Sequence, residues 1–321
     1  MTPLLDVADL VVRLPGPRAH VDVLDHVDFG VSRGRTTGLI GESGSGKTMT
    51  ALAVIGLLPD GATALGRIGY DGENTLELDA TRRRRLRGRE MAMVFQDPLA
   101  ALNPVLTVGR QVGEILRRDG RSRAAARKAA VELLERVEIP QAASRVDDYP
   151  HQFSGGMRQR AMIALALAGQ PRLLLADEPT TALDVTVQSR ILDLLRRLRD
   201  AEHMAMLLVS HDLRVMAHTA DTLVVMYAGR VCETGPAGEV LRRPAHPYTR
   251  ALIRNVPTVR VKTPLTDPLP GTPAGPFTRP GGCAFRTRCP MARERCREQV
   301  PRPRPVAKER TSACHYAEEL V

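Results

Sequence analysis

Short apolar runs rich in β-branched residues alternate with stretches of helical periodicity through roughly the first 235 residues. The runs Thr36–Ile40, Met91–Phe95, Leu173–Ala176, Met206–Val209 and Thr222–Met226 predict strands. Helical patterns at Lys47–Leu57, Gly155–Ala168, Leu183–Leu198 and Asp212–His218 follow several of them. Strands alternating with helices predict an α/β domain with a mostly parallel sheet. From about Val108 to Asp148 there is no strand signal but several amphipathic helical stretches, which predicts an inserted helical subdomain. No period of 20–50 residues recurs, which excludes solenoids and propellers.

The pattern changes after about Asn255. Eleven of the 24 prolines fall in residues 251–310, and four of the five cysteines lie between Cys283 and Cys314. Proline at that density precludes long helices and central strands. A small, loop-rich appendage is expected, held by a cross-link or a metal because it buries little core. At 321 residues the chain has room for about two domains. Its net charge of +10 suits an anionic partner such as nucleotide, nucleic acid or a membrane face. Aromatics make up only 3% with no Trp, which argues against a stacking platform for single-stranded nucleic acid. The longest apolar runs, such as Ala161 to Ala168, fall far short of the ~20 residues that span a bilayer. No secretory signal is visible at the N-terminus, so an intracellular location is expected.

Three motifs carry chemistry. Gly41-Glu42-Ser43-Gly44-Ser45-Gly46-Lys47-Thr48 joins a predicted strand to a predicted helix, a phosphate-cradling loop. Lys47 would reach the β- and γ-phosphates, and Thr48 would offer its hydroxyl to Mg²⁺. Leu173-Leu174-Leu175-Ala176-Asp177-Glu178 is a buried-strand pattern ending in two carboxylates. Asp177 suits the Mg²⁺ shell, and Glu178 suits orienting or deprotonating an attacking water. In Phe153-Ser154-Gly155-Gly156-Met157-Arg158-Gln159-Arg160, Ser154 caps a helix whose first N–H groups form a second anion site. Two phosphate-binding helix ends but a single lysine-bearing loop imply that the second end serves a nucleotide held by another subunit.

With these motifs in order, residues 4 to about 255 resemble the ATPase of ATP-binding cassette (ABC) transporters. The resemblance implies an α/β phosphate-loop ABC ATPase core over residues 1–255, with an inserted helical subdomain at about 97–170. A small Pro/Cys-rich C-terminal domain of the oligopeptide/dipeptide-transporter type follows at 256–321. In the family, two cassettes face each other head to tail and sandwich two ATP molecules with Mg²⁺. On this chain, Gly41, Ser43, Gly44, Gly46, Lys47 and Thr48 would cradle ATP, with Ser154, Gly155 and Gly156 acting in trans. Asp184 matches the loop that crosses the dimer interface. Gln96 matches the loop that touches Mg²⁺ or the water, and His211 matches the histidine at the γ-phosphate. The implied catalytic set is Glu178, His211, Gln96 and Lys47, and the implied Mg²⁺ set is Thr48, Gln96 and Asp177. One departure concerns the base: no aromatic precedes Phe29, so Leu14, or His20 in its place, fills the adenine-stacking slot.

The finer resemblance is to the first of two ATPases in the oligopeptide/dipeptide importer branch. It is carried by Tyr149 to Arg160, by Ala176 to Gln188 and by His246-Pro247-Tyr248-Thr249. It implies a heterodimer with a companion ATPase, two transmembrane permease subunits and an extracytoplasmic solute-binding protein. The subunit would lie peripherally on the cytoplasmic face of the membrane, with a permease helix docked near Gln96–Pro104. The implied cargo is a di- or oligopeptide, with nickel or a metal chelate as the alternative. A soluble cassette protein of DNA repair or translation fits less well. Only 130 residues separate Lys47 from Asp177, with no sustained heptads, and there is a single phosphate loop. Intact Lys47, Glu178 and His211 argue against a non-hydrolysing cassette. No specific nucleic acid is expected. The run Arg82-Arg83-Arg84-Arg85 with Arg87 and Arg89 suits a solvated face better than a lipid or DNA contact.

Cys283, Cys289, Cys296 and Cys314 read as metal ligands sooner than as disulfides in an intracellular chain. Their spacings do not fit the close C-x₂₋₄-C hairpins of structural zinc. Four thiolates separated by longer loops suit a [4Fe–4S] cluster, with Arg286, Arg288, Arg295 and Arg297 offsetting its charge. The family resemblance points the same way; zinc or no metal are the alternatives. Cys232 reads as a small packing residue.

Overall fold

The computed structural model describes residues 3–16, 19–118, 120–181, 183–255 and 271–320. Residues 256–270, which open the expected C-terminal domain, and Ala182 lie outside the described residues. The chain forms two compact units, one of Met1–Ser32, Thr36–Glu77 and Leu208–Val321, the other of Arg33–Arg35 and Leu78–Leu207. In chain order the strands are β1 (Leu5–Leu14), β2 (Val21–Val31), β3 (Thr36–Ile40), β4 (Thr63–Tyr70), β5 (Glu73–Asn74) and β6 (Met91–Val94). They continue with β7 (Leu173–Asp177), β8 (Ala205–Ser210), β9 (Thr222–Tyr227), β10 (Arg230–Pro236), β11 (Arg304–Ala307) and β12 (Arg310–Ser312).

In the first unit, β3 is buried along its whole length and pairs in parallel with β9. Burial on both faces explains why TTGLI reads as an unbroken run rather than an alternation. Beyond β9 the ladder turns antiparallel, through β10 and β12 to β11. This sheet is therefore mixed, with the antiparallel strands on the β10 side of β9. A separate antiparallel sheet, in the order β2-β1-β4-β5, escaped the periodicity. The reason is visible in the register of β1 against β2, which shifts between Val7 and Leu10, between Leu10 and Val12 and again before Arg13. Bulges break the two-residue alternation that announces a strand. Asp9 and His26 adopt φ of 52° and 53°, and their side chains bond to each other.

The second unit contains the parallel pair β6 and β7, with Met91 opposite Leu173 and Val94 opposite Ala176. The expected helical insertion is present as helices Val108–Arg117, Arg123–Arg136 and Ala142–Arg145. Thr107 and Ser122 cap the first two by accepting from Arg110 N and Ala125 N. Val108, Val112 and Leu116 form the buried stripe of the first helix, at the four-residue spacing an amphipathic helix requires. The arginine run occupies helix Ala80–Arg89, where only Leu86 is buried. Among the described residues, no helix is long and apolar enough to cross a membrane.

The loop-rich tail, expected to be held by a cross-link or a metal, is docked on strands of the first unit. Its strand β12 pairs with β10, Glu233 opposite Ser312, and Ala313 N donates to Cys232 O at 2.8 Å. Arg310, 3% exposed, donates to Glu233, which is fully buried, at 2.7 Å. Arg279 reaches back to Asp25 of β2 at 2.7 Å. Phe285 packs edge-on against Tyr227 at 5.3 Å and tilted against Tyr248 at 5.3 Å. The tail is thus held by docking on residues distant in sequence, and its four cysteines, like Cys232 of β10, are in no disulfide.

Candidate functional site

In the first unit, β3 leads into Gly41 and the loop ends at helix Lys47–Ile55. A Cβ at Gly41 would stand 2.2 Å from Met226 O, so only glycine lets the loop leave the strand here. Lys47 is 5% exposed, and its Nζ donates to Gly41 O at 2.8 Å and Glu42 O at 3.0 Å. The ammonium therefore closes the loop on itself. Ser43, Gly44 and Thr48 are exposed, whereas Ser45 is buried and its Oγ has no hydrogen-bond partner. A buried hydroxyl with no partner inside a ring of turned backbone is what an anion cradle presents, and it fits a polyphosphate.

In the second unit, β7 delivers two carboxylates. Asp177 closes the strand at 3% exposure. Glu178 follows with φ of 46°, a conformation rare for a residue with a side chain and frequent at functional positions. Its carboxylate accepts from Thr181 Oγ1 at 2.9 Å and from Gln96 Nε2 at 3.4 Å. Gln96 and Glu178, 82 residues apart, are thus brought together. Ser154 caps helix Gly155–Leu167, its Oγ accepting from Met157 N at 3.4 Å, and Ser154 and Gly155 are exposed. A Cβ at Gly156 would meet Val187 Cγ1 at 2.9 Å. Asp184 caps helix Val185–Glu202 by accepting from Val187 N at 2.9 Å, and it too is exposed.

In the first unit, His211 follows β8 directly and is exposed. Next to it, burial pushes the Asp212 carboxyl up, but hydrogen bonds from the Arg214 side chain and backbone outweigh this and hold it below its usual range. Leu14 ends β1 opposite Val21 and is half-buried, while His20 is exposed.

The tail departs most from expectation. Cys283 and Cys296 are joined through the backbone, Cys283 N donating to Cys296 O at 2.8 Å. Burial pushes up the thiols of Cys283, Cys314 and Cys289, the last to about 11. The four-thiol donor set suits an iron–sulfur cluster, but its arrangement does not: among the described residues, no three metal-ligating side chains converge on a point. The four arginines each have another partner. Arg288 is taken by Glu42, Arg286 by Gly281 O, Arg295 by Gln299 and Arg297 by Glu294. Charge proximity along the sequence suggested otherwise, because it carries no information about these partners.

The sequence marks Tyr248 only as part of His246-Pro247-Tyr248-Thr249 and gives no sign of its contact with the loop. Its hydroxyl accepts from Glu42 N at 2.8 Å, across 206 residues. Near it, buried His246 is held neutral, burial lowering its pKa to about 4.

A family model described as ABC transporter matches residues 24–181. A second, described as the oligopeptide/dipeptide transporter C-terminal region, matches residues 232–296. The chain belongs to the ABC transporter family. It is 44% identical over 315 residues to the dipeptide transport ATP-binding protein DppD of Escherichia coli K12, covering 98% of this chain and 96% of that one. It is 41% identical over 314 residues to DppD of Haemophilus influenzae, covering 97% and 95%. Among solved structures, the ATP-binding cassette MJ0796 in a dimeric post-hydrolysis state with ADP and phosphate is similar, with a TM-score of 0.65 and 27% identity. That likeness covers 73% of this chain and 98% of the other. Over that share the chain has the cassette fold that the resemblance implied.

Proposed function

We propose that this subunit binds and hydrolyses ATP to power import of di- or oligopeptides through a membrane permease. The observation that carries the reading is near-full-length similarity to two dipeptide transport ATP-binding proteins, including the tail. The loop supports nucleotide binding through Gly41, Ser43, Gly44, Gly46, Lys47 and Thr48. Lys47 exchanges its two loop carbonyls for phosphate oxygens. Mg²⁺, when bound, offsets charge on the phosphates, and Thr48, Gln96 and Asp177 would hold it. Glu178 takes the proton of the attacking water, steadied by Thr181 and Gln96. His211 contacts the γ-phosphate.

The exposed cap of Ser154 and Gly155, with Gly156 and Asp184, suits a surface completed by a second ATPase. On this reading the partner is the companion subunit of a heterodimer, served by two permease subunits and an external solute-binding protein. A groove of about 190 Å³ lined by Met93, Phe95, Ala101, Ile115, Met162 and Leu165 supports permease docking. Leu99 and Val105, exposed apolar residues, lie within or beside the Gln96–Pro104 stretch. The division into a cassette of 1–255, with its helical subdomain at about 97–170, and a C-terminal domain of 256–321 belongs to the same reading. So does a peripheral position at the cytoplasmic face.

The test is uptake of labelled di- and tripeptides by cells lacking this chain. Loss of uptake, restored by re-expression, supports the assignment. Unaltered peptide uptake alongside impaired nickel accumulation redirects it to metal import.

What supports a [4Fe–4S] cluster on Cys283, Cys289, Cys296 and Cys314 is donor chemistry alone, four cysteines with none in a disulfide in one short segment, set against described side chains that do not converge to hold a metal. Anaerobically purified protein carrying a cluster is expected to contain about four irons and four acid-labile sulfides per chain. Stoichiometric zinc, or neither metal, sinks the cluster.

A further inference from the structure

Glu42 is an anion built into a loop whose ligand is a polyanion. Left to itself, its carboxylate would repel the phosphates and could swing toward the cradle. The structure shows why it does neither. Arg288 Nη1 donates to Glu42 Oε2 at 2.6 Å and Nη2 to Oε1 at 3.1 Å, a two-pronged ion pair. The Arg288 side chain is 3% exposed, so its charge is withdrawn from water and its guanidinium is fixed. Tyr227 lies beneath it, with 5.9 Å from Cζ to the ring centroid.

The main chain of the same residue is gripped separately. Glu42 N donates to Tyr248 Oη at 2.8 Å, and Tyr248 is wholly buried against Tyr227 and Phe285, at 4.8 and 5.3 Å between ring centroids. Gly41, one residue before, is pressed against Met226 O. Lys47 rests on the carbonyls of these same two residues, so whatever sets Gly41 and Glu42 also sets the resting place of the ammonium.

We infer that Arg288 and Tyr248, from the C-terminal part of the chain, are positioning residues of the nucleotide site that hold Glu42 on its side chain and its backbone. Arg288 neutralises the Glu42 carboxylate and keeps it out of the cradle, and Tyr248 fixes the loop's second peptide. The tail is thereby part of the machinery that admits ATP, acting on affinity rather than on the chemical step. The inference rests on the assignment of residues 41–48 as the nucleotide loop, so Lys47→Ala is the control: normal binding by that variant removes the loop assignment irrespective of Arg288.

The experiment measures binding of a fluorescent ATP analogue to the full-length chain, with kcat and KM for ATP in the assembled transporter. Arg288→Met is expected to weaken binding and raise KM about tenfold, with kcat within about twofold of the parent. Adding Glu42→Gln to it removes the uncompensated charge and is expected to return most of the affinity, with KM falling back and kcat unmoved; a merely structural defect would instead show as a lower fraction of active protein at unchanged KM. Arg288→Lys keeps the charge without the fork and should fall between. If Arg288→Met does not fold, Tyr248→Phe removes only the hydroxyl and is expected to weaken binding about threefold. Parental affinity in Arg288→Met overturns the inference, as does a double variant no better than the single. Where Arg288→Met does not fold, parental affinity in Tyr248→Phe overturns it.

Discussion

Glu178→Gln is expected to cut ATP turnover about 10²–10⁴-fold while ATP binding persists. The substitution keeps the shape of the side chain and removes its ability to take a proton. Glu178 occupies a left-handed backbone position at φ 46°, which Gln tolerates no worse than Glu, so no new strain is introduced. Thr181 Oγ1 can still donate to the amide oxygen, which leaves the side chain in place. Gln96 Nε2 donates to the same oxygen at 3.4 Å, so an amide oxygen placed there keeps that contact as well. With binding intact and the proton acceptor gone, a nucleotide-closed assembly should accumulate. The measurement is hydrolysis by the transporter carrying this variant beside a companion whose own site is disabled. Turnover at the parental rate there removes Glu178 as the base.

The second large effect concerns the fold. Arg310→Met is expected to destabilise the protein by about 3–5 kcal/mol, because it strands a buried charge. Glu233 is fully buried and Arg310 3% exposed. Glu233 Oε1 also accepts from Ala245 N at 2.9 Å, but Oε2 has no partner, so the carboxylate depends on Arg310 for its counter-charge. Arg310 further donates to Arg243 O, and Ser312 Oγ donates to Ala245 O at 2.8 Å, so the loss loosens β12 from β10. Replacing both partners with apolar residues of similar volume should recover much of the loss, since desolvation of the pair is then avoided. Chemical denaturation of the single and double variants checks both. A single variant within about 0.5 kcal/mol of the parent would show that the tail does not depend on this pair.

How far the sequence led is clear from particular residues. The loop Gly41–Thr48, the carboxylates Asp177 and Glu178 and the caps Ser154 and Asp184 were legible because each depends on local chemistry. Glycine allows a close turn, a short polar side chain caps a helix, and an apolar run buries a strand. The four helices and the helical insertion followed from periodicity for the same reason. Strands β1 and β2 were not legible, because their bulges destroy the alternation that reveals a strand.

The sequence by itself determined the chemistry this protein carries: a phosphate loop, a strand-end carboxylate pair and a capped helix with its first amides in the open. Tertiary structure alone decided what surrounds them. Nothing near Glu42 announces Arg288 or Tyr248, 246 and 206 residues away, and nothing near Glu233 announces Arg310. The four tail arginines looked like the charge complement of a metal cluster, yet each has another partner. A local motif is encoded by neighbours in sequence, whereas a buried ion pair forms where the folded chain withdraws two distant charges from water together. That pairing is set by packing, which periodicity and spacing do not record.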